Sequence, residues 1–74
     1  MSRLPNLTPR EVVKALERGG FRQMDQNGSH LAFFHPVSRA KTTVPMHPGD
    51  LPRWLMKKII KQAGLTEDEF RELL

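Results

Sequence analysis

The tripeptide Gly28-Ser29-His30 sets an imidazole directly after a flexible glycine and at the head of residues 31–34, the longest apolar run in the chain. Histidine is the side chain whose ordinary pKa, roughly 6.5, lets it give and take protons near neutral pH. His30 is therefore the first candidate for acid–base work. The plainer alternative is a solvated or hydrogen-bonded structural histidine at a strand end.

Three kinds of chemistry fit residues of these types. The first is a metal site, for which His30, His35 and His47 suffice in number. However, His30 and His35 are five apart, so a continuous strand points them to opposite faces, and no carboxylate cluster accompanies either. The second is a nucleophilic pair of Ser29 and His30, but neighbours in extended chain diverge, and no nucleophile-elbow pattern surrounds them. The third is RNA cleavage, which demands less. The ribose 2′-OH is its own nucleophile, so the protein supplies a base, a proton donor and cations for the charge on phosphorus. His30 can be base or acid, Lys41 or a lysine of the middle helix can stabilise the oxyanion, and Gly28 lets an RNA backbone come close.

The charge distribution agrees with a polyanionic partner. The net charge is +4, but residues 66–74 hold Glu67, Asp68, Glu69 and Glu72 against Arg71 alone, which leaves the preceding 65 residues at +7. Such a surface attracts phosphate backbones or an acidic protein. With 74 residues the chain makes one domain, 1–74, with a modest core, and without cysteine it has neither disulfides nor thiolate metal sites. No apolar run is long enough for a membrane span and the first residues lack the apolar stretch of a signal peptide, so a soluble cytoplasmic protein is expected.

The elements that position these residues are marked by local signals. Thr8-Pro9-Arg10-Glu11 reads as a capping box with proline at the first helical position, Leu7 and Val12 form a hydrophobic staple, and Gly19-Gly20 stops the helix. Thr66 and Glu69 repeat the box, with Leu65 and Phe70 as staple, opening a short helix expected to run to the C-terminus. The middle helix is expected over residues 51–63, with Asp50 as N-cap, Pro52 in the first turn and Gly64 at its end. At about 100° per residue, Leu55, Met56, Ile59, Ile60 and Ala63 share one side, while Arg53, Lys57, Lys58 and Lys61 share the other. Trp54 lies on the basic stripe, where it can stack on a base, anchor a protein partner, or fold back onto Met46 or Pro48. Between the first two helices, residues 21–25, 30–35 and 41–44 read as strands, with Gln26-Asn27-Gly28 and Pro36-Val37-Ser38-Arg39 as turns. The order predicts an α+β fold, α-β-β-β-α with a short extra C-terminal helix, in which helices cover one face of a three-stranded antiparallel sheet.

Gly28-Ser29-His30, Phe33, His35-Pro36, Val44-Pro45 with His47, and Ile60-Lys61-Gln62-Ala63-Gly64-Leu65 with Glu69-Phe70 follow, in order, the pattern of the HicA (YcfA-like) toxins. The chain resembles that family from about residue 10 to its end. The resemblance implies a fold like that of double-stranded-RNA-binding domains. It also implies a ribosome-independent mRNA interferase of a type II toxin–antitoxin system, with His30 catalytic, no cofactor, and a HicB-type antitoxin as partner. Gly28, Ser29, Lys41, Lys57, Lys58 and Lys61 are then the expected RNA contacts, and Trp54 the expected antitoxin contact. One departure stands out: the Gly-Thr-Leu with which the family's middle helix begins is Arg53-Trp54-Leu55 here, leaving Asp50 to cap it. A non-catalytic RNA-binding module, or an interaction protein docking an acidic partner by its basic face, are the rival readings. Substitution of His30 separates enzyme from binder, and the salt dependence of RNA affinity separates both from the third.

Overall fold

The computed structural model describes residues 4–74. Its elements run α1 (Pro9–Arg18), β1 (Arg22–Asn27), β2 (His30–Phe34), β3 (Lys41–Pro45), α2 (Arg53–Gln62) and α3 (Glu67–Arg71). The strands form one antiparallel sheet in the order β1-β2-β3, and the α+β order expected from the sequence is the one found.

Both capping boxes form. The Thr8 hydroxyl accepts the Glu11 N–H while the Glu11 carboxylate accepts the Thr8 N–H, and Thr66 with Glu69 does the same. Each box satisfies two of the N–H groups that a helix start leaves orphaned. At the other end of α1, the Gly20 N–H bonds to the Glu17 carbonyl and the Phe21 N–H to the Leu16 carbonyl. This paired closure needs a left-handed residue between helix and strand, and Gly20, at φ 96°, provides it. The α3 helix stops at Arg71, short of the C-terminus.

Alternation along the strands sorts the sheet into two faces. Phe33 and Val44, both fully buried, and Thr42 point to the helices, where they meet Val12, Ala15 and Leu16 of α1, Met56, Ile59 and Ile60 of α2, and Phe70 of α3. Fully burying side chains of this size contributes about 1.5–3 kcal/mol each. Thr42 is the one polar side chain in this layer among the described residues. Its hydroxyl lies 3.1 Å from the Ile59 carbonyl and 3.3 Å from the Gln62 amide oxygen, which clasps α2 to β3. His30, Ala32 and Phe34 of β2, and Lys41, Thr43 and Pro45 of β3, point to the other face, which no helix covers.

The middle helix corrects the sequence reading at its start. Asp50 does not cap it: the N-cap is Pro52, at φ −59° and ψ 147°, with no side-chain cap. The reason lies one residue earlier. Leu51 is buried, and its N–H is bonded at 2.8 Å to the Leu7 carbonyl ahead of α1, which keeps it out of the helix that begins at Arg53. Arg53 in turn donates to the Leu4 carbonyl at 2.9 Å, so this member of the expected basic stripe is tied to the N-terminal segment.

Candidate active site

The β1–β2 connection is the shortest a hairpin allows. Asn27 pairs with His30, leaving Gly28 and Ser29 as the two turn residues. Gly28 sits at φ 65°, the left-handed conformation that a tight two-residue hairpin requires at its first central position, and nothing lies within 4 Å of where a Cβ would be. The turn thus leaves open space beside His30, the first residue of β2.

His30 is exposed, and within the described residues neither ring nitrogen makes a hydrogen bond. Directly across the ladder is Pro45, and the Met46 N–H continues that ladder by bonding to the Ser29 carbonyl at 2.6 Å. Alternation therefore returns His47 to the face of His30 and Pro45. Between this strand end and α2 lies a groove of about 410 Å³. His30, Thr43, Pro45 and His47 line it from the sheet side, with Leu55, Lys58, Ile59 and Gln62 from the helix. A second hollow of about 380 Å³ lies on the β1 side, lined by Asp25, Asn27, His30, Ala32 and Thr43. His30 and Thr43 belong to both, so the imidazole stands on the rim between the groove shared by β3 and α2 and the hollow on the β1 side of the sheet.

The other expected residues are distributed unequally. Lys58 reaches the groove, and Trp54, 65% exposed, lies one turn earlier on the same stripe, with no burial against Met46 or Pro48. Lys61 is exposed one turn later. Lys57 is turned toward α3, where Glu67 lies 4.0 Å away. Lys41 pairs with Phe34 while His30 pairs with Pro45, four residues along β3, a separation of about 13 Å at the rise of a strand. Of the two kinds of cation expected to serve His30, Lys41 or a lysine of the middle helix, it is Lys58 of that helix that lines the groove with the imidazole.

His35 plays another part. Its Nδ1 accepts the N–H groups of Val37 and Ser38 at 3.1 and 3.2 Å, which fixes the Nε2–H tautomer, and Nε2 donates to the Gly19 carbonyl at 3.1 Å. The ring also meets Phe21 edge-on at 5.1 Å. Both nitrogens are committed to the backbone. Among the described residues no three His, Asp or Glu side chains converge in a way that would hold a metal ion.

A family model described as the HicA toxin of bacterial toxin–antitoxin systems matches residues 9–65, a span that runs from the first residue of α1 past the end of α2 and takes in both concavities. The chain belongs to the HicA toxin family. Among curated proteins none matches it. Membership places this HicA chain in a toxin–antitoxin system and so implies an antitoxin partner. No helix among its described residues is long and apolar enough to cross a membrane.

Sequence reasoning singled out His30 and Lys58 but not the company they keep. Thr43, Gln62 and Asn27 were not assigned to the site, and His47 entered only as a candidate metal ligand and as part of the family pattern. The signal that joins His47 to His30 is the cross-strand register, which places it diagonally from the imidazole.

Proposed function

We propose that the chain is a ribosome-independent mRNA interferase of the cytoplasm that cleaves RNA with His30 as its base, uses no metal, and is neutralised by a HicB-type antitoxin. The observation that carries this reading is the exposed, unengaged His30 imidazole on the rim between two concavities, each roomy enough for a nucleotide. A strand laid across the open face would set one nucleotide in each and the linking phosphate at the histidine. His30 would take the proton of the 2′-OH as O2′ attacks phosphorus, while Lys58 offsets the charge gathered on the phosphoryl oxygens. The P–O5′ bond then breaks, leaving a 2′,3′-cyclic phosphate on one fragment and a 5′-OH on the other. Gly28 and Ser29 border this path, and Lys58 and Lys61, with Lys57 and Lys41 at its margins, supply phosphate contacts.

Cleavage of a defined RNA in the presence of a chelator tests this. The native chain is expected to yield cyclic-phosphate ends, and His30→Ala to lose about 10²- to 10⁴-fold in rate while still binding RNA. A His30→Ala protein that cleaves at the native rate, or a native chain that cleaves only with added metal, would overturn it.

The antitoxin contact is assigned to Trp54, a large apolar side chain standing exposed on a basic helix face beside the groove. Tryptophan is enriched among residues that dominate binding energies, so Trp54→Ala should weaken antitoxin binding by about 2 kcal/mol, roughly 30-fold, while RNA cleavage persists. Titration of the purified proteins measures it, and unchanged affinity removes Trp54 from the interface.

A further inference from the structure

An imidazole that removes a proton from O2′ completes half of the reaction; the alkoxide leaving from O5′ needs one delivered. We infer that His47 is the general acid, a second catalytic imidazole on the same wall of the groove as His30. This rests on the proposed ribonuclease reading and adds a residue to it.

Three observations place His47 there. It lines the groove together with His30 and Lys58. The ladder contact from the Met46 N–H to the Ser29 carbonyl carries strand alternation past Pro45, so His47 is the diagonal neighbour of His30 on the open face. Diagonal pairs in an antiparallel ladder stand about 7–8 Å apart. That span accommodates a phosphate with a proton carrier at hydrogen-bond reach, about 3 Å, on either side. Finally, the His47 Nδ1 lies 3.0 Å from the Pro48 carbonyl. A carbonyl can only accept, so Nδ1 carries a proton and donates it there, which orients the ring and leaves Nε2 as the nitrogen free to serve the substrate. His35 offers the contrast, since its two nitrogens are both consumed by backbone groups.

The O2′ proton passes to His30 as the O2′–P bond forms. The P–O5′ bond breaks, and the leaving oxygen takes the Nε2 proton of the His47 imidazolium. The products are the cyclic phosphate and a 5′-OH, with His30 protonated and His47 neutral, and exchange with water restores both.

A substrate whose scissile 5′ oxygen is replaced by sulfur tests this, because a thiolate leaves without being protonated. On ordinary RNA, His47→Ala is expected to lose about 10²- to 10⁴-fold in rate, the usual contribution of a positioned proton donor. On the 5′-thio substrate the same variant should come within about tenfold of the native chain. His30→Ala should be slow on both, because the 2′-OH still needs a base. Equal losses for His47→Ala on the two substrates, or native cleavage of ordinary RNA by that variant, would overturn the acid assignment. Native rates for His30→Ala would instead overturn the base assignment, so the two failures are told apart. His47 is exposed and its truncation removes no core contact, so the variant is expected to fold; the thermal transition checks this.

Discussion

The start of β2 and its exit carry the same side chain and use it in opposite ways. At the start of the strand, His30 is exposed, its ring makes no hydrogen bond among the described residues, and it is open to two concavities. Just past its end, His35 is partly buried, with both nitrogens spent on the backbone and its ring edge against Phe21. His35 joins the β2–β3 turn to the end of α1, and so fixes the sheet against the helix layer. An imidazole becomes chemically available when the fold gives its nitrogens no other partner, and the rigid fastening at one end of the hairpin lets the other end be left open. Residue type alone does not distinguish these roles; the hydrogen bonds do.

Exchanging each histidine for alanine is the strongest way to break this comparison. His30→Ala should remove cleavage by about two to four orders of magnitude with an unchanged thermal midpoint. His35→Ala should do the reverse. It leaves two turn N–H groups and the Gly19 carbonyl without their partner and removes a ring packed on Phe21, a loss of about 2 kcal/mol. For a domain of this size that lowers the midpoint by roughly 8–16 °C, while the folded fraction keeps its cleavage rate. Thermal melts and initial rates on both variants decide the matter, and a stable but inactive His35→Ala would mean that this histidine also serves the chemistry.

The two hairpin-side glycines repeat the contrast at smaller scale. A Cβ at Gly20 would sit 2.8 Å from the His35 Nε2, at φ 96°, so Gly20→Ala must both strain the backbone and push the fastening ring away. The expected cost is about 2–3 kcal/mol. Gly28 is also left-handed, at φ 65°, but its Cβ would meet open space, so Gly28→Ala should cost only the conformational term of about 1 kcal/mol. Denaturant unfolding of the pair measures the difference, and equal costs would show that the His35 contact contributes nothing.

How much of this was legible in the sequence depended on the range of the interaction involved. The capping boxes at Thr8 and Thr66 and the glycine stops are local devices whose partners lie within a few residues, and each formed as read; the hairpin turn, read at Gln26-Asn27-Gly28, lies at Gly28-Ser29 instead, because Gln26 and Asn27 pair with Leu31 and His30 and so extend β1. The buried face of α2 followed from periodicity for the same reason. What was not legible depended on register. That Pro45, and through it His47, lies across from His30 is set by the connection between β2 and β3, in which Arg39 adopts a left-handed φ of 68°, a conformation no residue type there announces. The same register carries Lys41 to the His35 end and leaves Lys58, from a helix that follows later in the chain, as the cation at His30. The misread cap had a similar origin: Asp50 has the right chemistry, but the long-range bond from Leu51 to Leu7 decides where α2 begins.

The lysines give the finest test of the difference between the two ends. Lys58 shares the groove with His30, whereas Lys41 is paired with Phe34 at the far end of the sheet. Both are exposed cations on a basic surface, so removing either should weaken RNA binding evenly across sequences and reduce the slope of log affinity against log salt by about one ion equivalent. Their effects on rate should part. A cation that touches the phosphate under attack stabilises charge that grows in the transition state, so Lys58→Ala should lower the rate with bound RNA saturating. Lys41→Ala, which touches a phosphate that does not change, should lower affinity and leave the saturated rate unaltered. Binding isotherms at several salt concentrations, followed by single-turnover cleavage at saturation, separate the two quantities. Equal saturated rates for both variants would place the charge stabilisation elsewhere on the groove wall, and a slow Lys41→Ala would mean that the reacting phosphate reaches further toward the His35 end than the two concavities suggest.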